Sequence, residues 1–200
     1  YEKQILLQLP SPEHIRIPRI LGEGQNPPYL VTSFLHGKHL SPAEINKLSA
    51  TKQKKIAQQV ARFAYFLHTS LPIEKIMGLR KQLRLDELAD EPWETTFEKF
   101  LVTSTLPTRK QDDLAKEYFN RWKSLTLSTP AVVVHDDLHT ENMMFEDGKL
   151  TGILDFGDTN IGSPEQDLRQ LYRINETILK TAIQAYEQLS GHKLNIESAK

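Results

Sequence analysis

Residues 135–158 hold the highest concentration of side chains suited to chemistry. The segment begins His135-Asp-Asp-Leu-His-Thr-Glu-Asn142 and ends Ile153-Leu-Asp155-Phe-Gly-Asp158. These carboxylates, histidines and the Asn lie beside short apolar runs, where burying an unpaired charge would be costly. Polar loops positioned by strands often carry function. We therefore treat these two stretches as a candidate active site.

The spacing His-x-Asp-x-x-x-x-Asn, followed by Asp-Phe-Gly, fits the needs of phosphoryl transfer. In that reaction one Asp orients the attacking hydroxyl and accepts its proton, while an Asn and a second Asp hold Mg²⁺ against the nucleotide phosphates. In this chain Asp137, Asn142 and Asp155 occupy those places. A hairpin would bring Asn142 and Asp155 to one metal ion, because paired strands lie about 5 Å apart.

Periodicity and turn signals predict the elements that position these residues. Residues 131–134, 142–145 and 150–154 are apolar runs typical of strands. Asp147-Gly148 predicts a hairpin turn between the last two, because a primed turn needs positive φ angles. A further strand is predicted over 29–35 and a loop after Pro10. Helices are predicted over 2–9, from Ser41-Pro-Ala-Glu44 onward, and over 50–69, 92–104, 107–125, 164–174 and 176–190.

The ordered set of motifs resembles the aminoglycoside phosphotransferase family, the small-molecule branch of the protein kinase-like fold, which also holds choline, homoserine and macrolide kinases. The resemblance rests on His135-x-Asp137-Leu-His139-x-x-Asn142, Ile153-Leu-Asp155-Phe-Gly157-Asp158 and Ser163-Pro164-Glu-Gln-Asp167-Leu168. Weaker similarity reaches back to residue 2. The resemblance implies an α+β protein kinase-like fold. The chain would be mainly the helical C-terminal lobe, with a small β-hairpin sheet at the active site and the N-terminal lobe largely missing.

The resemblance also implies a division of the chain. Residues 1–36 would be a remnant of the N-terminal lobe, with one helix and the hinge strand. Residues 37–200 would be the helical phosphotransferase lobe, with a catalytic loop at 135–142 and a metal loop at 155–158. The resemblance places the family's glycine-rich loop and strand lysine before Glu2, outside this sequence. We therefore expect a truncated chain that transfers phosphate poorly by itself.

Roles for individual residues follow from the same resemblance. It implies that Asp137 is the catalytic base and that Asn142 and Asp155 are Mg²⁺ ligands. Glu2 corresponds to the helix glutamate that pairs with the nucleotide-binding lysine. The hinge whose backbone contacts the adenine corresponds to Ser33, Phe34 and Leu35.

Two residues of the motif correspond to structural positions, and two more carboxylates stand close by. His135 and Asp167 match residues that organise the catalytic loop in the family. Family members usually have Gly where this chain has Asp136. If the Asp136 carboxylate points at the site, it will repel the charge on Asp137. Asp158 is a second candidate modulator.

Composition limits the class of partner. The chain has 25 Lys and Arg against 26 Asp and Glu, a net charge of −1, and so no overall field to hold nucleic acid or an anionic membrane. No apolar run approaches the roughly 20 residues that span a bilayer. The sequence contains no cysteine, which excludes disulfides and thiolate metal sites and fits a reducing compartment. We expect a cytoplasmic protein that binds neither nucleic acid nor membrane.

Charge is balanced overall but segregated locally. Residues 52–84 hold eight Lys or Arg and one Glu, whereas 85–100 hold six acidic residues and Lys99 alone. The acidic group is either an attractant for a cationic acceptor or a solvated helix face; its members are Asp86, Glu87, Asp90, Glu91, Glu94 and Glu98. Three nearby aromatic residues, at helical spacing, fit either a substrate pocket or a helix core: Trp93, Phe97 and Phe100.

The expected function is ATP- or GTP-dependent transfer of a γ-phosphate to a hydroxyl of a small molecule, aminoglycoside-like or another amino-alcohol. One alternative is a non-catalytic binding module that keeps the lobe without a working nucleotide site. A second is a metal phosphohydrolase of the HD type, because His135-Asp136 is the metal-binding dipeptide of those enzymes. That site would need the dipeptide on a helix, whereas here it follows a predicted strand.

Overall fold

The computed structural model describes residues 1–85, 95, 98–100, 108–124 and 130–199. The α-helices in those ranges are α1 (Glu2–Gln8), α2 (Pro42–Asn46), α3 (Ala50–Ser70), α4 (Ile73–Gln82), α5 (Arg109–Ser124), α6 (Pro164–Arg169) and α7 (Glu176–Ser190). The strands are β1 (Ile20–Gln25), β2 (Pro28–Thr32), β3 (Val132–Val134), β4 (Met143–Glu146), β5 (Lys149–Ile153) and β6 (Asn160–Gly162). Three antiparallel pairs form, β1 with β2, β3 with β6 and β4 with β5, which confirms the predicted α+β class.

Helix α3 lies at the centre of the core. The apolar stripe that predicted it is buried along its length, from Ile56 at 0% exposed to Phe63 at 2%. It packs against α7, whose inner face includes Leu179 and Ala182. Burying each large side chain of such a stripe stabilises the fold by about 1.5–3 kcal/mol. None of the helices in the described ranges is long and apolar enough to cross a membrane, and the cytoplasmic location stays a prediction.

The predicted helix starts are confirmed at atomic detail. At α2 the Glu44 backbone N–H donates to Ser41 Oγ (3.3 Å), and the Ser41 N–H donates to Glu44 Oε2 (2.8 Å). These reciprocal bonds satisfy donors that the first helical turn leaves unpaired. At α6, Pro164 stands in the first turn and the Ser163 N–H donates to Gln166 Oε1 (2.8 Å).

The predicted hairpin is formed by β4 and β5. Asp147 and Gly148 at the turn have φ angles of 53° and 74°, as a primed turn requires. Below the turn the ladder pairs Met143 with Ile153. The hairpin therefore brings the residues just before β4 and just after β5 to the same end of the two strands.

Several elements differ from the sequence prediction. Strand β1 lies in the predicted loop, because Gly22, Glu23 and Gly24 carry little strand signal. The strand predicted over 29–35 ends at Thr32, and the helix predicted over 164–174 continues after Arg169 as a 3₁₀ turn. Helix α4 and the short strand β6 were not predicted. Helix α5 confirms the helix predicted over 107–125, while most of the one predicted over 92–104 lies outside the described residues.

Candidate active site

The carboxylate of Asp137 lies in the loop that follows β3. The side-chain amide of Asn142 donates to both Asp137 Oδ2 and the Asp137 carbonyl, at 2.9 Å each. The Nε2 atom of His139 lies 3.2 Å from the same Oδ2. Among the described residues, none donates a hydrogen bond to Oδ1, and the Asp137 side chain is 30% exposed. The carboxylate is therefore held through one oxygen and open at the other.

Asn142 and Asp155 flank the hairpin at the same end. The Leu154 N–H donates to the Asn142 carbonyl (2.9 Å), which extends the β4–β5 ladder to the residue before Asp155. Asp155 is exposed, has a φ of 59°, and accepts the Gly157 N–H at 3.2 Å. Backbone geometry thus sets the separation of the two side chains.

The free oxygens of this pair suit a magnesium ion. Because the Asn142 amide nitrogen turns toward Asp137, its Oδ1 is left without a hydrogen bond in the described part of the chain. The described residues contain no cluster of three or more His, Cys, Asp or Glu arranged for a metal. Mg²⁺ needs no such cluster, since it commonly takes one or two carboxylates together with substrate phosphates and water. The donor set therefore fits Mg²⁺.

Asp167, which is fully buried, fixes the start of the loop. Its Oδ2 accepts the His135 N–H (3.0 Å) and lies 2.9 Å from His68 Nε2, while its Oδ1 accepts the Asp136 N–H (2.8 Å). The other ring nitrogen of His68 lies 2.8 Å from the Tyr186 hydroxyl. Burial raises the pKa of the Asp167 carboxyl, but the bonds from His68 and His135 outweigh it and hold the pKa below its usual range. A charged Asp167 thus ties α6 to the loop and to α3.

His135 links the loop to the segment after β5. Its ring is buried, with Nε2 3.0 Å from the Leu154 carbonyl and the ring centre 4.8 Å from that of Phe156. Its Nδ1 has no hydrogen-bond partner in the described ranges. His135 thus packs between the two polar loops, and its role in organising the loop stays a prediction.

Asp136 points away from Asp137, toward α6. Its Oδ1 accepts Gln166 Nε2 (3.3 Å) and Arg169 Nη2 (3.1 Å), and its φ is 66°. Burial raises the pKa of the Asp136 carboxyl, although Arg169 opposes the shift. The condition for repulsion of Asp137 is therefore not met. The dipeptide His135-Asp136 is also not on a helix, which the phosphohydrolase alternative requires.

Two cavities lie near these loops or on α3. One of about 350 Å³ is lined by Asp136, Gly157 and Asp158, and Asp158 is exposed. The other, about 780 Å³, lies between α3 and residues 11–15 and contains none of the predicted site residues. The smaller cavity is therefore the one that the predicted loops 135–142 and 155–158 both line.

The hinge residues have distinct environments. The Ser33 N–H donates to the Arg19 carbonyl (2.8 Å) and its Oγ accepts the Arg19 N–H (3.0 Å), so Ser33 continues the β1–β2 pairing. Phe34 is 77% exposed, whereas Leu35 is 6% exposed. Within the described residues, no hydrogen bond joins the peptide groups of Phe34 or Leu35 to another residue. These peptide groups are available to an external partner.

Hydrogen bonds attach two further parts of the chain, the residues after the hinge and helix α1, to β4 and to the loop after β5. Lys38 and Phe145 exchange backbone hydrogen bonds of 2.9 and 2.8 Å, which attach the chain after the hinge to β4. Glu2, on α1, accepts the Phe156 N–H at 3.1 Å through Oε1. Glu2 therefore contacts the predicted metal loop, 155–158, through the Phe156 backbone.

Sequence reasoning missed the partners of the motif residues. These partners come from distant parts of the chain, and no local spacing in the sequence indicates their contacts; they are His68, Gln166 and Arg169. The acidic and aromatic residues considered for an acceptor site mostly lie outside the described residues. Of those described, Glu98 binds Lys123 Nζ (2.8 Å), and Phe100 is 44% exposed.

Known proteins share this architecture. APH(2")-IIa, solved as a ternary complex with streptomycin and ATP, has a TM-score of 0.62 at 17% identity over 94% of this chain and 65% of its own. Aminoglycoside 2'-phosphotransferase-IIIa, solved with GDP, gives 0.75 at 18% identity over 99% and 69%. The macrolide 2'-phosphotransferase MphH from Brachybacterium faecium gives 0.68 at 16% identity over 99% and 66%.

The chain matches only part of the length of these proteins, at low sequence identity. The chain spans less than two thirds of the APH(2")-IIa chain, and at such identities the likeness establishes the fold alone. No curated protein matches the sequence at a significant level. The model of the APH family, described as the phosphotransferase enzyme family, matches residues 2–196. This chain, with its kinase-like fold, therefore belongs to the phosphotransferase enzyme family.

Proposed function

We propose that the protein transfers the γ-phosphoryl group of ATP or GTP to a hydroxyl of a small molecule, with Asp137 as the base and Asn142 and Asp155 as Mg²⁺ ligands. The observation that carries the proposal is the Asp137 carboxylate, which is bonded on one oxygen and open on the other. Asn142, which binds this carboxylate, has a free Oδ1, and Asp155 follows the strand paired with the one after Asn142. Family membership supports the same reaction class.

The residues divide the work of the reaction. Asp137 Oδ1 accepts the proton of the acceptor hydroxyl as its oxygen attacks the γ-phosphorus, and the bond from phosphorus to the nucleoside diphosphate breaks. Asn142 and Asp155 would hold the metal, and Mg²⁺ bound there would neutralise charge on the phosphate oxygens. Acceleration of this kind comes from positioning and electrostatic stabilisation, with no covalent intermediate on the protein.

The nucleotide base is proposed to lie against the hinge. The peptide groups of Phe34 and Leu35 have no partner among the described residues, so a nucleotide base can bind them without displacing a hydrogen bond to those residues. Ser33 is engaged by Arg19, so its role is to hold the hinge in place. Solved relatives contain ATP in one case and GDP in another, which supports a purine nucleotide donor.

The acceptor is proposed to be a hydroxyl-bearing small molecule of the aminoglycoside, macrolide or amino-alcohol class. Relatives of this fold are solved with streptomycin, gentamicin or kanamycin, and another is a macrolide phosphotransferase. The test is a screen of the full-length protein, in which the variants below are also made, with Mg-ATP and Mg-GTP against those aminoglycosides, a macrolide, choline and homoserine. Mass spectrometry detects an acceptor that has gained one phosphoryl group.

Asp137→Asn is the diagnostic variant for this screen. Its carbonyl oxygen satisfies the donors at Oδ2, which leaves an amide that cannot accept a proton facing the acceptor. We expect kcat to fall by about 10²–10⁴-fold, with Mg-nucleotide binding by calorimetry unchanged. Asp112→Asn, on the exposed face of α5, is the matched control and keeps wild-type kcat. Undiminished turnover in Asp137→Asn contradicts the assignment of the base, and nucleotide binding without any phosphorylated acceptor contradicts the proposed function.

A further inference from the structure

The ring of His139 makes two contacts with distinct roles. It caps the 3₁₀ turn that begins at Thr140, where its Nδ1 accepts the Glu141 N–H at 3.1 Å. Its Nε2 lies 3.2 Å from Asp137 Oδ2, with the two side chains 20% and 30% exposed. An imidazole nitrogen that accepts a hydrogen bond carries no proton. In the neutral ring the proton is therefore on Nε2, next to the Asp137 carboxylate.

We propose that His139 is a positioning residue that selects which oxygen of Asp137 acts as the base. Together with the Asn142 amide, the His139 Nε2–H occupies the surroundings of Oδ2 and leaves Oδ1 to the acceptor hydroxyl. Contacts of this kind are often long before substrate binds and shorten in the reactive complex. The proposal rests on the proposed function, because it concerns the orientation of the same base.

Two substitutions separate the two contacts of the ring. Asn is among the best residues at a helix N-cap, so His139→Asn keeps an acceptor for the Glu141 N–H, but its short amide does not extend to Asp137. Gln places its amide nitrogen about as far from the backbone as Nε2, so His139→Gln keeps a donor to Asp137 and gives up the short cap acceptor. The pair isolates positioning from capping.

The positioning role predicts a definite order of activities. We expect kcat in His139→Asn to fall about ten- to hundredfold with an unchanged KM for the nucleotide, because a misplaced base lowers the rate of the chemical step. In His139→Gln most of kcat returns. His14→Gln, at an exposed histidine paired only with Glu13 among the described residues, serves as the control and leaves kcat unchanged. If the ring only caps the turn, His139→Gln is the weaker enzyme, and that order overturns the proposal.

A measurement without turnover tests the contact directly. In ¹⁵N-labelled protein at neutral pH, the signals missing from the His139→Asn spectrum identify this ring. We expect Nδ1 to give the shift of an unprotonated nitrogen and Nε2 that of a protonated one. The opposite tautomer overturns the proposal even in an active enzyme. The expected tautomer in a protein that phosphorylates no acceptor supports the contact while the proposed function fails, so the two failures are distinguishable.

Discussion

Replacing Asp167 by Asn tests how the loop of the proposed base, residues 135–142, is held. Three donors point at this carboxylate: the His135 N–H and the His68 ring at Oδ2, and the Asp136 N–H at Oδ1. An Asn has one acceptor oxygen and one NH₂ group. Whichever way the amide turns, its NH₂ faces the backbone N–H of either His135 or Asp136. The NH₂ group and that N–H then both lack an acceptor, and the Asp167 side chain is fully buried.

The expected loss of stability follows from the two buried donors that the substitution leaves without an acceptor. Each such group destabilises the fold by about 1–3 kcal/mol, so we expect Asp167→Asn to lower the free energy of unfolding by about 3 kcal/mol. That is roughly a hundredfold change in the ratio of folded to unfolded protein. Urea unfolding followed by far-ultraviolet circular dichroism measures it. The matched control, Asp112→Asn, is expected to unfold at nearly the wild-type urea concentration, because its ion pair with Lys116 is at the surface.

The same substitution has a pH signature. Because the pKa of Asp167 is lower in the folded than in the unfolded protein, its charge stabilises the fold above the unfolded value of about 4. That stability is lost as the pH falls through the folded pKa. The difference between wild type and Asp167→Asn is therefore largest at neutral pH and narrows in acid. A variant as stable as wild type at pH 7, or a difference that grows in acid, would refute the reasoning.

Substitutions at three positions, Gly37, Gly78 and Asp136, extend these predictions. Gly37→Ala is expected to lower the free energy of unfolding by about 2 kcal/mol or more, because Gly37 has a φ of 124° and a Cβ there would lie 2.9 Å from the Phe145 carbonyl oxygen. Gly78→Ala in α4, with open space around it, is expected to raise that free energy by about 0.5–1 kcal/mol. An unchanged melting temperature for Gly37→Ala would argue against tight packing around Gly37. Asp136→Gly is expected to be about 1 kcal/mol more stable than Asp136→Ala, because only glycine adopts the φ of 66° without strain. Equal melting temperatures for the two Asp136 variants would contradict that account.

Local chemistry made parts of the fold and site predictable. Asp147-Gly148 specifies its turn through backbone sterics, and Ser41 with Glu44 specifies a helix start through reciprocal hydrogen bonds. The motif placed Asp137 and Asn142 in one loop, and the structure joins them by a hydrogen bond. Signals of this kind depend only on residues close in sequence.

The remainder depends on contacts between distant residues. Strand β1 forms because β2 pairs with it, despite the low strand propensity of Gly22 and Gly24. The direction of Asp136 is set by Arg169, 33 positions later, and the charge on Asp167 by His68, 99 positions earlier. Spacing along the sequence does not indicate which distant residues contact each other in space, so only the structure identifies these partners.

The backbone ladder of β4 and β5 has a consequence for how this site can diversify. Since peptide hydrogen bonds, ending in Leu154 to Asn142, set the separation of the two proposed metal ligands, that separation is a property shared by any sequence able to form the hairpin. The exposed hairpin positions Glu146 and Lys149 can then vary for stability or solubility, whereas the buried side chains of the hairpin stay constrained by the core. A change elsewhere in the chain that keeps this ladder would therefore leave the spacing of Asn142 and Asp155 unchanged.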